Sequence, residues 1–194
     1  MRPTFTPGYV PASACDALAL ILTAETPWAN VDDAPRDECF MALDLSLTYS
    51  YGNDNQRRTR VYKAAPMHPA VDALMQRLNA DYGAAYNVCV LNYYADERRH
   101  LGWHSDDSPE LNPEHPIAVI AFGATRELWV KHRGATGLVP AEDRFAMTPG
   151  ALFAMPPGFQ DVMLHRIPKH PARCGPRVSL TFRKLDRAAP IPAP

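Results

Sequence analysis

Two stretches of the chain space their apolar residues at helical intervals, and both lie in its first half. Within residues 13–26, Leu18, Ile21 and Leu22 share one helical face, Ser13 stands as the N-cap, and Pro27 ends the run. Within residues 69–82, Val71, Leu74, Met75 and Leu78 form an apolar stripe, Pro69 suits the first turn and Gly83 terminates the helix. Both read as amphipathic supports packed on something larger. Between them, residues 40–51 alternate imperfectly and then meet Gly52-Asn53-Asp54-Asn55, a strong turn signal followed by Arg57, Arg58, Arg60 and Tyr62. This pattern predicts a hairpin over 47–63 with an aromatic and basic tip.

From residue 87 onward the pattern changes to short β-like runs, at 88–94, 117–122, 128–132, 151–155, 162–167 and 177–182, with turn residues between nearly all of them. Short strands punctuated by Gly and Pro, with no helical pattern between them, predict an antiparallel sandwich or barrel rather than a parallel α/β sheet. The expected organisation is a single mainly β domain with flanking helices: a helical and hairpin-bearing extension over 1–86, a strand-rich core over 87–185, and a disordered tail over 188–194.

Composition narrows the reading without redirecting it. A chain of 194 residues with 46% hydrophobic and 21% charged residues is suited to one soluble core, and its 20 prolines favour short elements with abrupt turns over long helices. Cys15, Cys39, Cys89 and Cys174 form no C-x-x-C pair and no dense framework, so reduced structural thiols are expected. The apolar stretch 17–22 is far too short to span a bilayer, and a cytoplasmic protein is expected. A net charge of −1 gives no global attraction for nucleic acid, although residues 166–187 carry seven Lys or Arg against one Asp while residues 25–54 carry seven acids against one Arg. That asymmetry permits a basic rim.

Candidate chemistry begins at His104-Ser105-Asp106, because residues i and i+2 of an extended segment point the same way and can share a metal. Alone, such a tripeptide reads as a loop or capping pair. His165, in a run that otherwise faces the core, would supply a third ligand, although a buried histidine is usually just hydrogen-bonded. Two imidazoles and one carboxylate would fill one face of an iron(II) sphere and leave three positions open. A small chelating acid is a common electron source for such a site, and Arg177, with Arg183 six positions on and on the same strand face, offers the planar fork that holds carboxylates.

The runs Asn92-Tyr93-Tyr94, Gly102-Trp103-His104-Ser105-Asp106-Asp107, His115-Pro116-Ile117-Ala118, Phe122-Gly123-Ala124-Thr125-Arg126, His165-Arg166-Ile167-Pro168 and Arg177-Val178-Ser179-Leu180-Thr181-Phe182-Arg183 together resemble the AlkB-like family of iron(II)- and 2-oxoglutarate-dependent dioxygenases. The resemblance covers roughly residues 47–184 and rests on ordered motifs at matching intervals. It implies a double-stranded β-helix (jelly roll) core with N-terminal helices and a substrate-recognition lid. It also implies that His104, Asp106 and His165 bind iron, that Asn92, Tyr94 and Arg177 hold the far carboxylate of 2-oxoglutarate, and that Arg183 lies near its keto-acid end. Ser179 stands where an asparagine is common, which alters hydrogen bonding to the co-substrate without removing its charge partner.

By the same resemblance, the hairpin is the nucleotide-recognition lid. Tyr49 and Tyr51 flank a base, and Arg57, Arg58 and Arg60 meet phosphates, while the bland readings are sheet aromatics and a solvated turn. DNA-repair relatives carry an acidic residue two places after the metal aspartate, and here Asp107 is followed by Ser108, which leaves base preference open. The implied activity is oxidative dealkylation of N-alkylated bases in DNA or RNA, single-stranded or flipped from a duplex, by a monomer, with release of aldehyde, succinate and carbon dioxide. Two alternatives stand beside it: the same iron and oxygen chemistry on a protein or small molecule, and a non-catalytic sandwich module holding zinc or no metal. Trp103, His115 and Arg126 sit inside the matched runs and Trp129 lies three residues beyond one, all with no role beyond packing or support.

Overall fold

The computed structural model describes residues 2–31, 33–51 and 60–189. Its elements are, in chain order, β1 (Thr4–Thr6), α1 (Ala12–Glu25), β2 (Asp37–Ala42), β3 (Thr48–Tyr51), β4 (Arg60–Lys63), β5 (Ala65–Pro66), α2 (Pro69–Tyr82), β6 (Val88–Tyr94) and β7 (Leu101–His104). There follow β8 (Ile117–Gly123), β9 (Arg126–His132), β10 (Arg144–Met147), β11 (Leu152–Met155), the one-turn α3 (Phe159–Val162), β12 (Met163–Ile167) and β13 (Arg177–Arg183). A seven-stranded sheet in the order β1-β11-β8-β13-β6-β2-β5 faces a four-stranded sheet in the order β10-β9-β12-β7, with β3 and β4 forming a separate hairpin. All pairings are antiparallel except β2 with β5. This is the expected mainly β jelly roll with flanking helices.

The large sheet is covered on both faces, which explains why β8 is a continuous apolar run and does not alternate. Its Ala118, Ile120 and Phe122 join Leu22, Val71, Leu74, Met75 and Leu78 of the two helices in one core cluster, while Ile117, Val119 and Ala121 face the small sheet in a second. β13 is built on the same parity: Val178, Leu180 and Phe182 pack toward the helices. Arg177, Ser179, Thr181 and Arg183 therefore take the inner face, where they line a cavity between the sheets.

Several boundaries differ from the sequence reading. Residues 40–51 are two strands, not one hairpin arm: β2 runs in the large sheet against β6, and Asp44 makes a turn, accepting from Ser46 N–H at 2.9 Å, before β3 begins. α1 starts at Ala12 with Pro11 as N-cap and no side-chain cap, so Ser13 lies inside the first turn, and Ile21 is largely outside the buried face centred on Cys15 and Leu22. Val162 belongs to α3. β1, β7 and β10 are not among the predicted strands: each is short and, unlike the equally short but wholly apolar β11, mixes polar and apolar positions. The tail is anchored further than expected: Ala189 is buried, its N–H reaches Thr48 O, and its carbonyl accepts from Thr48 Oγ1 at 2.6 Å, while residues 190–194 lie outside the described residues. Among the described residues no helix is long and apolar enough to cross a membrane.

Gly123 ends β8 with φ +81°, and a Cβ added there would run into Pro176 O and crowd Arg177 Cα at 3.3 Å. Gly123→Ala is expected to destabilise the fold by about 1–3 kcal/mol in urea unfolding, because it adds positive-φ strain to a backbone collision. An unchanged unfolding midpoint would contradict that account of the turn.

Candidate active site

His104 closes β7 and His165 lies on β12, and the two are register partners. Their rings sit 4.1 Å apart between centroids. A register shift between His165 and Ile167 places an extra residue on the β7 side, a local bulge of the kind that re-aims side chains at sites. Asp106 follows two residues after His104, its N–H donating to Gln160 Oε1 at 2.9 Å. Its Oδ1 lies 3.9 Å from His104 Nε2 and its Oδ2 lies 3.9 Å from His165 Nε2. Among the described residues this is the one group of His, Cys, Asp or Glu side chains whose donor atoms converge, all within 4.8 Å of one another.

The protonation states suit a cation. His104 Nδ1 lies 3.0 Å from Gly102 O, so Nδ1 carries the proton and Nε2 offers its lone pair toward Asp106. Burial pulls both imidazoles below their ordinary range, because an imidazolium cannot be solvated there. Burial alone would raise the Asp106 carboxyl, but Arg183 and then the two histidines hold it below the ordinary carboxylate range. Arg183 Nη2 lies 2.8 Å from Asp106 Oδ1, yet among the described residues neither carboxylate oxygen gains a hydrogen bond of good geometry. Two neutral nitrogens and an ionised, under-satisfied carboxylate are a donor set for a divalent metal.

The neighbouring wall fits an anion. Asn92 and Tyr94 on β6 are register partners of Ser179 and Arg177 on β13, and all four line the same cavity as the three metal donors. Arg177 is 1% exposed, its guanidinium stands 5.1 Å over the Tyr94 ring, and none of its nitrogens has a hydrogen-bond partner among the described residues. Burial draws its pKa down to about 10, still far above neutrality. Three guanidinium groups (Arg36, Arg177, Arg183) and two carboxylates (Glu38, Asp106) line the cavity, so a divalent cation and a dianion entering together leave its charge unchanged.

The remaining sequence-predicted residues divide. Tyr51 lines the cavity, its ring 6.0 Å from His104 in an edge-on contact. Tyr49 is 1% exposed, stacked on Phe40 at 5.8 Å and covered by Arg183 at 5.2 Å, so it belongs to the wall and has no free face for a base. Arg60 lies 3.5 Å from Glu38 Oε2 and thus faces an acid. Arg57 and Arg58 lie outside the described residues. Asp107 and Ser108 turn away from this cavity: Asp107 accepts from Ser105 and Arg133, Ser108 donates to the Ser50 carbonyl, and both line a second cavity across Asp106.

The supposed basic rim is also dispersed. Arg177 and Arg183 are internal, and Arg166 is held between the rings of Trp103 and Trp129 at 4.7 and 4.3 Å. Arg126 is buried and serves as a clasp, donating to the carbonyls of Asp96, Arg99 and Pro168. The sequence reading missed Arg36 and Glu38, a buried ion pair facing the cavity. Correct bounds for β2 would have revealed it, since the two residues alternate onto the face that Asn92 occupies.

Comparison with known proteins follows the same lines. A family model described as the 2OG-Fe(II) oxygenase superfamily matches residues 4–183. The chain is 31% identical over 146 residues to the DNA oxidative demethylase ALKBH2 of Mus musculus, covering 73% of this chain and 59% of that protein. It is 28% identical over 196 residues to the alpha-ketoglutarate-dependent dioxygenase alkB homolog 3 of Homo sapiens, covering 95% and 67%. It therefore spans less than two thirds of the ALKBH2 length. The solved structure of OsALKBH1 superposes with a TM-score of 0.56 at 13% identity, over 95% of this chain and 98% of that one, which is a likeness of fold.

Two outcomes are expected. Arg177→Met should stabilise the metal- and co-substrate-free protein by about 1–4 kcal/mol in urea unfolding, since an apolar isostere relieves an unpaired buried charge, and should abolish any rise in melting temperature on adding 2-oxoglutarate. A less stable variant that still responds would contradict the anion-site reading. The histidines and Asp106 resist protonation in the fold but not in the unfolded chain. Stability of the metal-free protein should therefore be full above about pH 6.5 and fall as the pH drops through the ordinary histidine and then carboxylate ranges, as read by unfolding midpoints across pH.

Proposed function

This chain belongs to the 2OG-Fe(II) oxygenase superfamily, and from that premise we propose that it is an oxidative dealkylase of N-alkylated nucleic-acid bases. The observation that carries the reading is the convergence of His104, Asp106 and His165 on one point beside a buried guanidinium that has no acid partner among the described residues. A bound iron would let dioxygen supply one oxygen atom to 2-oxoglutarate, which leaves as succinate and carbon dioxide, and the other to the C–H bond of the alkyl carbon attached to the ring nitrogen. The hemiaminal so formed breaks its C–N bond and releases an aldehyde and the unmodified base.

The chain's own part is to hold and to shield. His104, His165 and Asp106 hold the metal, and Arg183 keeps the Asp106 carboxylate ionised. Arg177, Asn92 and Tyr94 hold the far carboxylate of the co-substrate, with Ser179 on the same wall. Tyr51 and Tyr62 line the cavity on the hairpin side. A base stacked in a duplex cannot reach a buried metal, so the substrate is single-stranded or flipped. Support for nucleic acid over other substrates comes from the similarity to the DNA oxidative demethylase ALKBH2 and from the aromatic hairpin.

With iron and 2-oxoglutarate present, formaldehyde should appear from methylated single-stranded DNA or RNA and not from a methylated peptide; turnover of the peptide alone would overturn the substrate assignment. Asp106→Ala should lose succinate formation while keeping the native circular dichroism spectrum, because the residue serves the open site more than the core. A folded Asp106→Ala protein with native succinate yield would remove the metal assignment.

A further inference from the structure

A side-chain amide has two unlike ends, a carbonyl oxygen that accepts and an amino group that donates, and only the amino end can serve a carboxylate. Asn92 therefore has to be held one way round to take part in binding an anion. Its Oδ1 accepts from Arg36 Nε at 2.8 Å, a contact between two buried side chains 56 positions apart in the chain. With the carbonyl end occupied by a guanidinium, the amino group is directed away from Arg36.

Arg36 is itself fixed. It pairs with Glu38, and Glu38 is the register partner of Asn92 across the β2–β6 ladder. Both charged residues are nearly inaccessible, at 5% and 4% exposure. Glu38 divides its two oxygens. Oε1 meets Arg36, while Oε2 accepts from Tyr62 O–H at 2.6 Å and lies 3.5 Å from Arg60 Nη1, both on β4 of the hairpin. The Arg36 guanidinium also stands 5.7 Å from the centroid of the Tyr51 ring on β3. One buried ion pair thus touches both strands of the hairpin and the wall of the co-substrate cavity.

We propose that Arg36 is a positioning residue for the co-substrate: its Nε fixes the Asn92 amide so that the amino group faces the co-substrate carboxylate, and Glu38 ties that orientation to the seating of the β3–β4 hairpin. This rests on the assignment of Asn92 to the co-substrate above. Stability alone does not account for the pair, because well-packed neutral residues commonly replace a buried ion pair without loss. An amide turned one way, by contrast, requires a donor at that place.

The test uses the paired variant Arg36→Met/Glu38→Gln, which removes both charges together and leaves neither one buried alone, with Arg36→Lys as the conservative comparison. Anaerobic calorimetric titration of 2-oxoglutarate into the iron-loaded protein should show about tenfold weaker binding in the paired variant, the loss of roughly one charge-assisted hydrogen bond, with partial recovery in Arg36→Lys. The KM for 2-oxoglutarate should rise by a larger factor than kcat falls. Amide exchange over residues 60–63 should slow when 2-oxoglutarate is added to the native protein and stay unchanged in the paired variant. A folded paired variant with native 2-oxoglutarate affinity, even one with a lowered melting temperature, would overturn the inference alone. Failure of the native protein to bind 2-oxoglutarate would overturn the oxygenase reading and this inference with it.

Discussion

A guanidinium buried without an acid is the constraint on which the rest of the site depends. Arg177 is held between the two sheets, over the face of Tyr94, with all three nitrogens unsatisfied by the described residues. A cation so placed is destabilising unless the working state contains an anion, and the site around it is arranged to admit one. The alternation of β13 makes this possible. One face feeds Val178, Leu180 and Phe182 into the helix-covered core, and the stability of that packing allows the other face to carry Arg177, Ser179, Thr181 and Arg183 inward. The core on one side of the strand sustains the polar surface on the other.

The second guanidinium of β13 has a different task. Arg183 approaches Asp106 closely enough to hold its carboxylate ionised but leaves both oxygens without a well-formed hydrogen bond. A tightly satisfied carboxylate would be a poor metal ligand, because every hydrogen bond it accepts competes for a lone pair. A distant arginine would let burial protonate it. The contact lies between these failures, and the two neutral imidazoles complete a set with one negative charge against a divalent cation.

Much of this was legible in the sequence, for reasons that can be given residue by residue. The six strand runs of the core and helix α2 could be read because they are long enough to show a period, and α2 is bounded by Pro69 and Gly83. His104, Asp106, His165, Arg177 and Arg183 could be read because strand parity and ordered motifs constrain them. Arg36 and Glu38 could not, since a two-residue alternation conveys nothing until the strand that carries it is known, and the turn at Asp44 hid that boundary. The basic segment 166–187 misled for a related reason: charge counted along a chain does not say which side of a strand it occupies, and its two most important cations point inward. Tyr49 misled because parity put it on the correct face without revealing its depth.

Parity also settles what kind of element the hairpin is. Tyr49 and Tyr51 share one face of β3 and line the cavity, so Thr48 and Ser50 must share the other. That second face is occupied: Thr48 is bonded to Ala189, and Ser50 Oγ lies 2.9 Å from both oxygens of Glu110, on the loop that follows Asp106. Ser108 of the same loop donates to Ser50 O. On β4, Tyr62 and Arg60 are engaged by Glu38 of the large sheet. The base of the hairpin is thus fastened on one side to the metal-bearing loop and the C-terminal segment, and on the other to the strand beside the anion wall. So held on both faces, the base of the hairpin forms part of the cavity wall. What its base contributes to the cavity is therefore the set of rings on that one face, Tyr49, Tyr51 and Tyr62, held in place by the contacts behind them.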